Sequence, residues 1–294
     1  GFTKNILHYS NDQEAATIWY HDHAMGITRL NVYAGLAGFY LITDENEMQL
    51  QASNQLPASP YDIGLAIQDR MFTTDGQLFY PTMSEGSGSP EHSIMPEFFG
   101  NIILVNGKAW PVLEVEPRQY RFRILNGSDS RFYDLFFSGA VNFTQIGTDN
   151  GLLPSPVNLS KLLLGTGERK DVVIDFSDPK LWGKTIVLEN NAKTPFPRGT
   201  SVDQQTTGRI MAFKITRPLN SSYPLTTLPT VLRPPITPLQ TSLPARKLIL
   251  FEGSDEYARL KVQLGTVEEG VKSYSDATTE NVIQNTTELW EIYN

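Results

Sequence analysis

The chain has 294 residues, room for two ordinary domains or one large one, and it carries 24 Lys and Arg against 32 Asp and Glu for a net charge of −8. That acidic balance argues against nucleic acid or an anionic membrane surface as the main partner, since both select a basic patch, while 40% hydrophobic and 11% aromatic residues supply material for a core. Cysteine is absent, which excludes disulfides, thiolate nucleophiles, iron–sulfur clusters and cysteine-ligated metals within the chain.

No apolar run reaches the roughly 18–20 residues of a transmembrane span, and the start does not read as a signal peptide. The chain opens on Gly1 rather than Met, as a segment of a longer product would. Taken in chain order, residues 1–45 contain a strand-like run from Ala34 to Ile42 but too little to close a domain. Residues 46–60 are polar and end in Pro57 and Pro60, the composition of a linker. Between 61 and 217, short alternating runs recur every 8–12 residues or so between turn signals, the pattern of an all-β sandwich. Ile63, Leu65 and Ile67 alternate with small or polar neighbours, as in a half-buried strand. Asp75-Gly76 and Asn106-Gly107 each stand between two apolar runs and predict hairpins. Further strands are predicted at Tyr120 to Ile124, Val172 to Phe176, Ile186 to Leu188 and Met211 to Ile215, giving one complete sandwich of about eight strands. The Pro-rich stretch 218–243 predicts a stiff extended connector, because proline cannot donate to a sheet ladder. Residues 244–294, with runs at Lys247 to Phe251 and Glu288 to Ile292, again form only part of a domain.

Five Asn-X-Ser/Thr sequons occur, at Asn126, Asn142, Asn158, Asn220 and Asn285. They are either chance or the mark of a secreted, glycosylated protein, and Asn126, directly after a strand, suits a glycan least. Four histidines are present, His8, His21, His23 and His92. Residues two apart on a strand share a face, so His21 and His23 project together with Cβ atoms roughly 6–7 Å apart. That spacing is awkward for chelating one ion and suits one nitrogen on each of two neighbouring metals. Imidazole favours copper, zinc, iron or nickel over magnesium or calcium. Two imidazoles do not complete a site, and the alternative is a chance pair with no metal. Trp19 falls on the same face and could shield a site, Asp22 faces the opposite way and reads either as a group that supports the ligands or, preferably, as solvated, His8 and His92 read as surface residues, and Met25 and Met95 as apolar gap-fillers.

The flanks of the pair carry more. Trp19-Tyr20-His21-Asp22-His23-Ala24-Met25-Gly26-Ile27-Thr28-Arg29-Leu30-Asn31-Val32-Tyr33-Ala34-Gly35-Leu36-Ala37-Gly38-Phe39-Tyr40 closely resembles the second copper motif of multicopper oxidases, nearest to the branch of spore-coat laccases and bilirubin oxidases. Gln68-Asp69-Arg70, Pro96-Glu97-Phe98-Phe99-Gly100, Val105-Asn106-Gly107-Lys108-Ala109-Trp110-Pro111, Tyr120-Arg121-Phe122-Arg123 and Gly167-Glu168-Arg169-Lys170-Asp171-Val172 look like landmarks of that branch's middle domain. The resemblance implies cupredoxin-like Greek-key β-sandwich domains: the end of a first (1–45), a complete second without its own copper (61–217) and the start of a third (244–294). It further implies that His21 and His23 each hold one copper of the binuclear pair in a trinuclear cluster. In the small-residue strand, Gly35, Ala37 and Gly38 read as permitting close approach of a neighbouring domain.

The family also uses an earlier His-X-His, a later His-Pro-X-His-X-His and a His-Cys-His, none of which occurs in the chain. The resemblance therefore implies an oxidase of laccase or bilirubin-oxidase type, monomeric and extracellular, that takes single electrons from phenolic or tetrapyrrole donors and reduces O2 to water. The 294-residue chain by itself is expected to be inactive and to lack the intense blue band that a Cys thiolate gives copper. A catalytically dead cupredoxin scaffold and a ferroxidase-like relative are the competing readings.

Overall fold

The computed structural model describes residues 6–82, 90, 95–139 and 141–294, and it falls into two compact units. The first comprises Gly1–Phe79 with Glu97–Pro235, the second Tyr80–Pro96 with Ile236–Asn294.

The first unit begins with strand β1 (Ala16–His21), helix α1 (Thr28–Tyr33), strand β2 (Ala37–Ile42) and helix α2 (Glu45–Ala52). It continues with β3 (Asp62–Phe72), β4 (Leu78–Phe79), β5 (Ile102–Val105), β6 (Lys108–Ala109), β7 (Val112–Val115) and β8 (Gln119–Asn126). The remainder is β9 (Tyr133–Phe137), β10 (Phe143–Thr148), β11 (Gly151–Leu159), β12 (Lys161–Leu164), β13 (Arg169–Asp175), β14 (Thr185–Asn190) and β15 (Arg209–Ile215). β1 and β2 form a two-stranded antiparallel sheet of their own. The other strands make two facing sheets: one in the order β11-β10-β13-β8-β3-β5-β6, with β4 paired to β3, and one in the order β12-β9-β14-β15-β7. The β3–β8 and β15–β7 pairs are parallel, the kind of crossover a Greek-key sandwich makes.

The core lies between the sheets. Phe122, Phe143, Phe176 and Phe213 are fully buried there with Tyr133 and Leu135, and the Phe122 and Phe213 rings lie 5.2 Å apart. The predicted turn at Asn106-Gly107 joins β5 to β6, with φ of 49° and 78° at the two residues, the left-handed values a two-residue hairpin turn requires. The Asp75-Gly76 hairpin likewise joins β3 to β4.

Two expectations change. Residues 46–60 are no open linker: Asp44 caps α2 by accepting from the Glu47 amide at 2.7 Å, and Leu50 and Leu56 enter a second core with Ile146, Leu152, Val173 and Leu232. The Asp44-x-x-Glu47 spacing is a helix-start signal within an otherwise polar run. The Pro-rich stretch forms no strand, but it contributes Leu232 to that core, and Arg118 donates to the Asn220 and Tyr223 carbonyls. Arg121 and Arg123 of β8 point away from solvent. Both are buried, joined to Glu47, Asp62 and Asp171 in an ion network that bolts α2 onto the large sheet. Burial works against the Arg121 charge, and the Asp171, Asp62 and Glu47 carboxylates together more than offset it, so its pKa is raised.

Among the sequons, Asn126 is fully buried and its side-chain amide donates to the Arg131 and Leu164 carbonyls, so no glycan can sit there. Asn142, Asn158, Asn220 and Asn285 are exposed.

The second unit contains β16 (Arg246–Ser254), β17 (Leu260–Thr266), β18 (Gly270–Lys272) and β19 (Trp290–Tyr293), paired in the order β18-β17-β16-β19. This is a single layer, and its Leu250, Phe251, Val262, Leu264 and Ile292 are exposed.

Candidate metal centre

The copper-type motif sits where β1 ends. Trp19, Tyr20 and His21 pair with Phe39, Gly38 and Ala37 of β2. The ladder stops at His21, and the Asp22 amide donates to Leu36 O at 2.9 Å. His23 therefore lies past the strand, unlike the expected placement of both histidines on it. The two rings nevertheless project together, with centroids 5.6 Å apart and planes inclined by 29°. Trp19 lies on the same side, its ring centroid 4.6 Å from that of His21, as a two-residue period requires.

Asp22 is not simply solvated. Its Oδ2 accepts from the Ala24 amide at 3.1 Å and from the Asn31 side chain at 3.0 Å, tying the turn after the motif to α1. The Asp22 carbonyl lies 2.7 Å from His21 Nδ1. With the proton on Nδ1 that contact is a hydrogen bond, which leaves the Nε2 lone pair of a half-buried ring directed elsewhere; a carbonyl partner on the second nitrogen is the common way to orient a ligating histidine. His23 and His8 are exposed, and His92 lies outside the described residues. Met25 is 77% exposed and fills no gap. Gly38 is needed within its own hairpin, where a Cβ would meet the Tyr20 hydroxyl at 2.6 Å.

The motif is pinned to the sandwich on both sides. Upstream, Thr17 is buried, and its hydroxyl accepts from Arg123 Nη1 at 2.9 Å. Downstream, the buried Tyr33 of α1 donates its hydroxyl to Phe79 O at 2.6 Å and accepts from the Met71 amide at 2.9 Å. Arg70 crosses the Tyr33 ring at 4.6 Å and donates to the Val32 carbonyl. These partners of the motif are far away in sequence, and no local spacing announces them.

Beside Arg70 stands Asp129, whose carboxyl oxygens are both buried with no hydrogen-bond partner among the described residues. Burial pushes its carboxyl up to about 6, helped by Asp69 and opposed by Arg70. Because the folded value lies above the unfolded one, the native chain binds the extra proton between about pH 4 and 6, and Asp129 withdraws stability as pH rises through that window. Asp129→Asn is therefore expected to stabilise the protein at pH 7 by about 1–2 kcal/mol, allowing for solvent screening of a partly exposed group, and to add nothing at pH 4. Urea unfolding of both proteins from pH 4 to 8 checks this.

The donor set fits copper in kind: two imidazoles side by side, one of them oriented through its other nitrogen. It falls short in number, since no group of three or more His, Cys, Asp or Glu able to hold a metal occurs among the described residues.

No family model matches the chain. Whole-chain comparisons do. A laccase of Bacillus stratosphericus is 46% identical over all of this chain and 55% of its own length. A multicopper oxidase of Arabidopsis thaliana, LPR1, is 38% identical over all of this chain and 48% of its own length. The crystal structure of a laccase from Pediococcus acidilactici superposes with a TM-score of 0.71 at 29% identity, covering 96% of this chain and 53% of that one. The chain belongs to the multicopper oxidase family. Its sandwich is accordingly cupredoxin-like, and copper is the metal its relatives imply. This multicopper oxidase chain spans about half the length of the curated relatives it matches. Among the described residues no helix is long and apolar enough to cross a membrane.

Proposed function

We propose that His21 and His23 bind the two coppers of a binuclear pair, one each, within a trinuclear cluster of a laccase-like oxidase whose remaining ligands lie outside these 294 residues. The observation that carries this reading is the side-by-side pair of imidazoles at the end of β1, one held through Nδ1 by the Asp22 carbonyl. When bound, copper supplies one-electron transfer and O2 reduction. The protein's part is placement. Asp22 O holds the His21 ring so that Nε2 is the binding atom, the Asp22 carboxylate fixes the turn that presents His23, and Trp19 covers one side of His21 against water. Phenolic or tetrapyrrole donors are the proposed substrates. The exposed sequons at Asn142, Asn158, Asn220 and Asn285 support a secreted protein.

A chimaera tests the reading. This chain replaces the aligned segment of the Bacillus stratosphericus laccase, which supplies the other ligands. The expected product binds copper tightly and consumes O2 with a phenolic donor, whereas the 294-residue chain alone binds copper only weakly through its two imidazoles and consumes no O2. A folded chimaera without copper-dependent O2 uptake would instead make the chain a catalytically dead scaffold.

A further inference from the structure

A two-stranded hairpin has little stability of its own, so the position of β1 depends on what docks it. Arg169, at the start of β13, makes the densest of these contacts. Its Nε donates to Thr17 O at 2.9 Å, Nη1 to Gly167 O at 3.0 Å and Nη2 to Asp149 O at 2.8 Å. One planar guanidinium thus holds three carbonyls from three separate segments: β1, the turn before β13 and the turn after β10. Asp149 completes the clamp by accepting from the Arg169 amide at 2.7 Å and pairing with Nη1 at 3.1 Å.

The clamp reaches the histidines through an aromatic stack. Gly167 has φ +76°, and a Cβ on it would stand 3.2 Å from the Trp19 indole. Trp19 therefore lies against both the Gly167 backbone and the His21 ring, and His21 in turn stacks with His23. We propose that Arg169 is a positioning residue for the metal pair: by locking Thr17 and Gly167 it sets where Trp19 lies, and through Trp19 the separation and tilt of the His21 and His23 imidazoles. The inference rests on the copper reading of those two histidines. It deepens that reading by moving part of the control of the centre into the sandwich that carries no ligand.

The fork is the essential property. Lysine keeps the positive charge near Asp149, but its single ammonium cannot address three carbonyls in one plane. A role limited to charge pairing survives Arg169→Lys, and a positioning role does not. The test uses the 294-residue chain labelled at histidine, where four rings report. In the metal-free protein, Arg169→Lys and Gly167→Ala are expected to shift the His21 and His23 ring signals and weaken their mutual NOEs, leaving His8 unchanged. Cu(II) titration followed by quenching of Trp fluorescence is expected to show about tenfold weaker binding, the low end of what outer-shell changes cost. Leu188→Ala, a buried change on β14, lowers stability and serves as control; its ring signals and copper affinity should match the wild type. Wild-type signals and affinity in both Arg169→Lys and Gly167→Ala overturn the inference. So does a Leu188→Ala protein perturbed to the same degree, because the effect is then general loosening. Wild-type copper affinity no better than that of a His21→Ala/His23→Ala double variant sinks the copper reading itself, while the metal-free ring signals still decide whether Arg169 holds the stack.

Discussion

Replacing Arg121 with leucine is expected to destabilise the first unit by about 3–5 kcal/mol, the cost of removing one partner from a buried ion pair. The side chain is 1% exposed. It reaches Asp171 through Nε and Nη2 and Glu47 through Nη1 at 2.8 Å, with Asp62 at 3.5 Å. Leucine leaves three carboxylates around the single guanidinium of Arg123, and Glu47 Oε2 already has no hydrogen-bond partner among the described residues. Desolvated carboxylates without a counter-charge dominate over the apolar contacts leucine gains. The loss is read from the urea midpoint at pH 7. A second replacement that removes Asp171 as well, Arg121→Leu with Asp171→Leu, should recover part of it, because it removes a stranded charge along with its partner. A loss below about 1 kcal/mol, the range of an exposed pair, would mean that water reaches the network.

The second large effect concerns chemistry and leaves the fold alone. In the laccase chimaera, His21→Ala, His23→Ala and the double variant should all fall to the same background of copper-dependent O2 uptake. If each imidazole serves a different metal of one centre, losing either disables the unit, and the losses do not add. Stability of the metal-free protein should change by no more than about 0.5 kcal/mol, the usual range for surface substitutions, since His23 is exposed and His21 half-buried. Copper content and O2 uptake, measured on the same preparations, separate a lost metal from a misplaced one. Single variants that retain half the activity would argue for two independent sites.

Much of this was legible along the chain. Asn106-Gly107 announces its hairpin because only left-handed backbone closes a two-residue turn, and the alternation of Leu65 and Ile67 announces a strand with one face in the core. His21 and His23 were visible for the same reason, as period-two neighbours in a distinctive run. The parts that were not legible depend on contacts across the sequence. Arg121 and Arg123 alternate with Phe122 as solvent-facing residues do, yet α2, more than 70 positions away, covers that face and supplies Glu47. A polar helix whose key acid points inward looks like a linker until its partner sheet is known. Likewise, Arg169 is an ordinary basic residue at a strand start until Thr17, separated from it by 152 positions, accepts its Nε–H. The two readings of Asp22 are not separable in sequence for a local reason: a carboxylate two residues before an amide can close a turn as easily as it can face solvent.

The most direct test of the central claim is to add substoichiometric Cu(II) to the histidine-labelled chain and observe which ring signals the paramagnetic ion broadens. With four histidines in the sequence, the assignment is unambiguous. The account predicts that His21 and His23 broaden together and first, with His8 and His92 persisting until copper is in excess. Uniform broadening of all four, or loss of His8 before the pair, would contradict it.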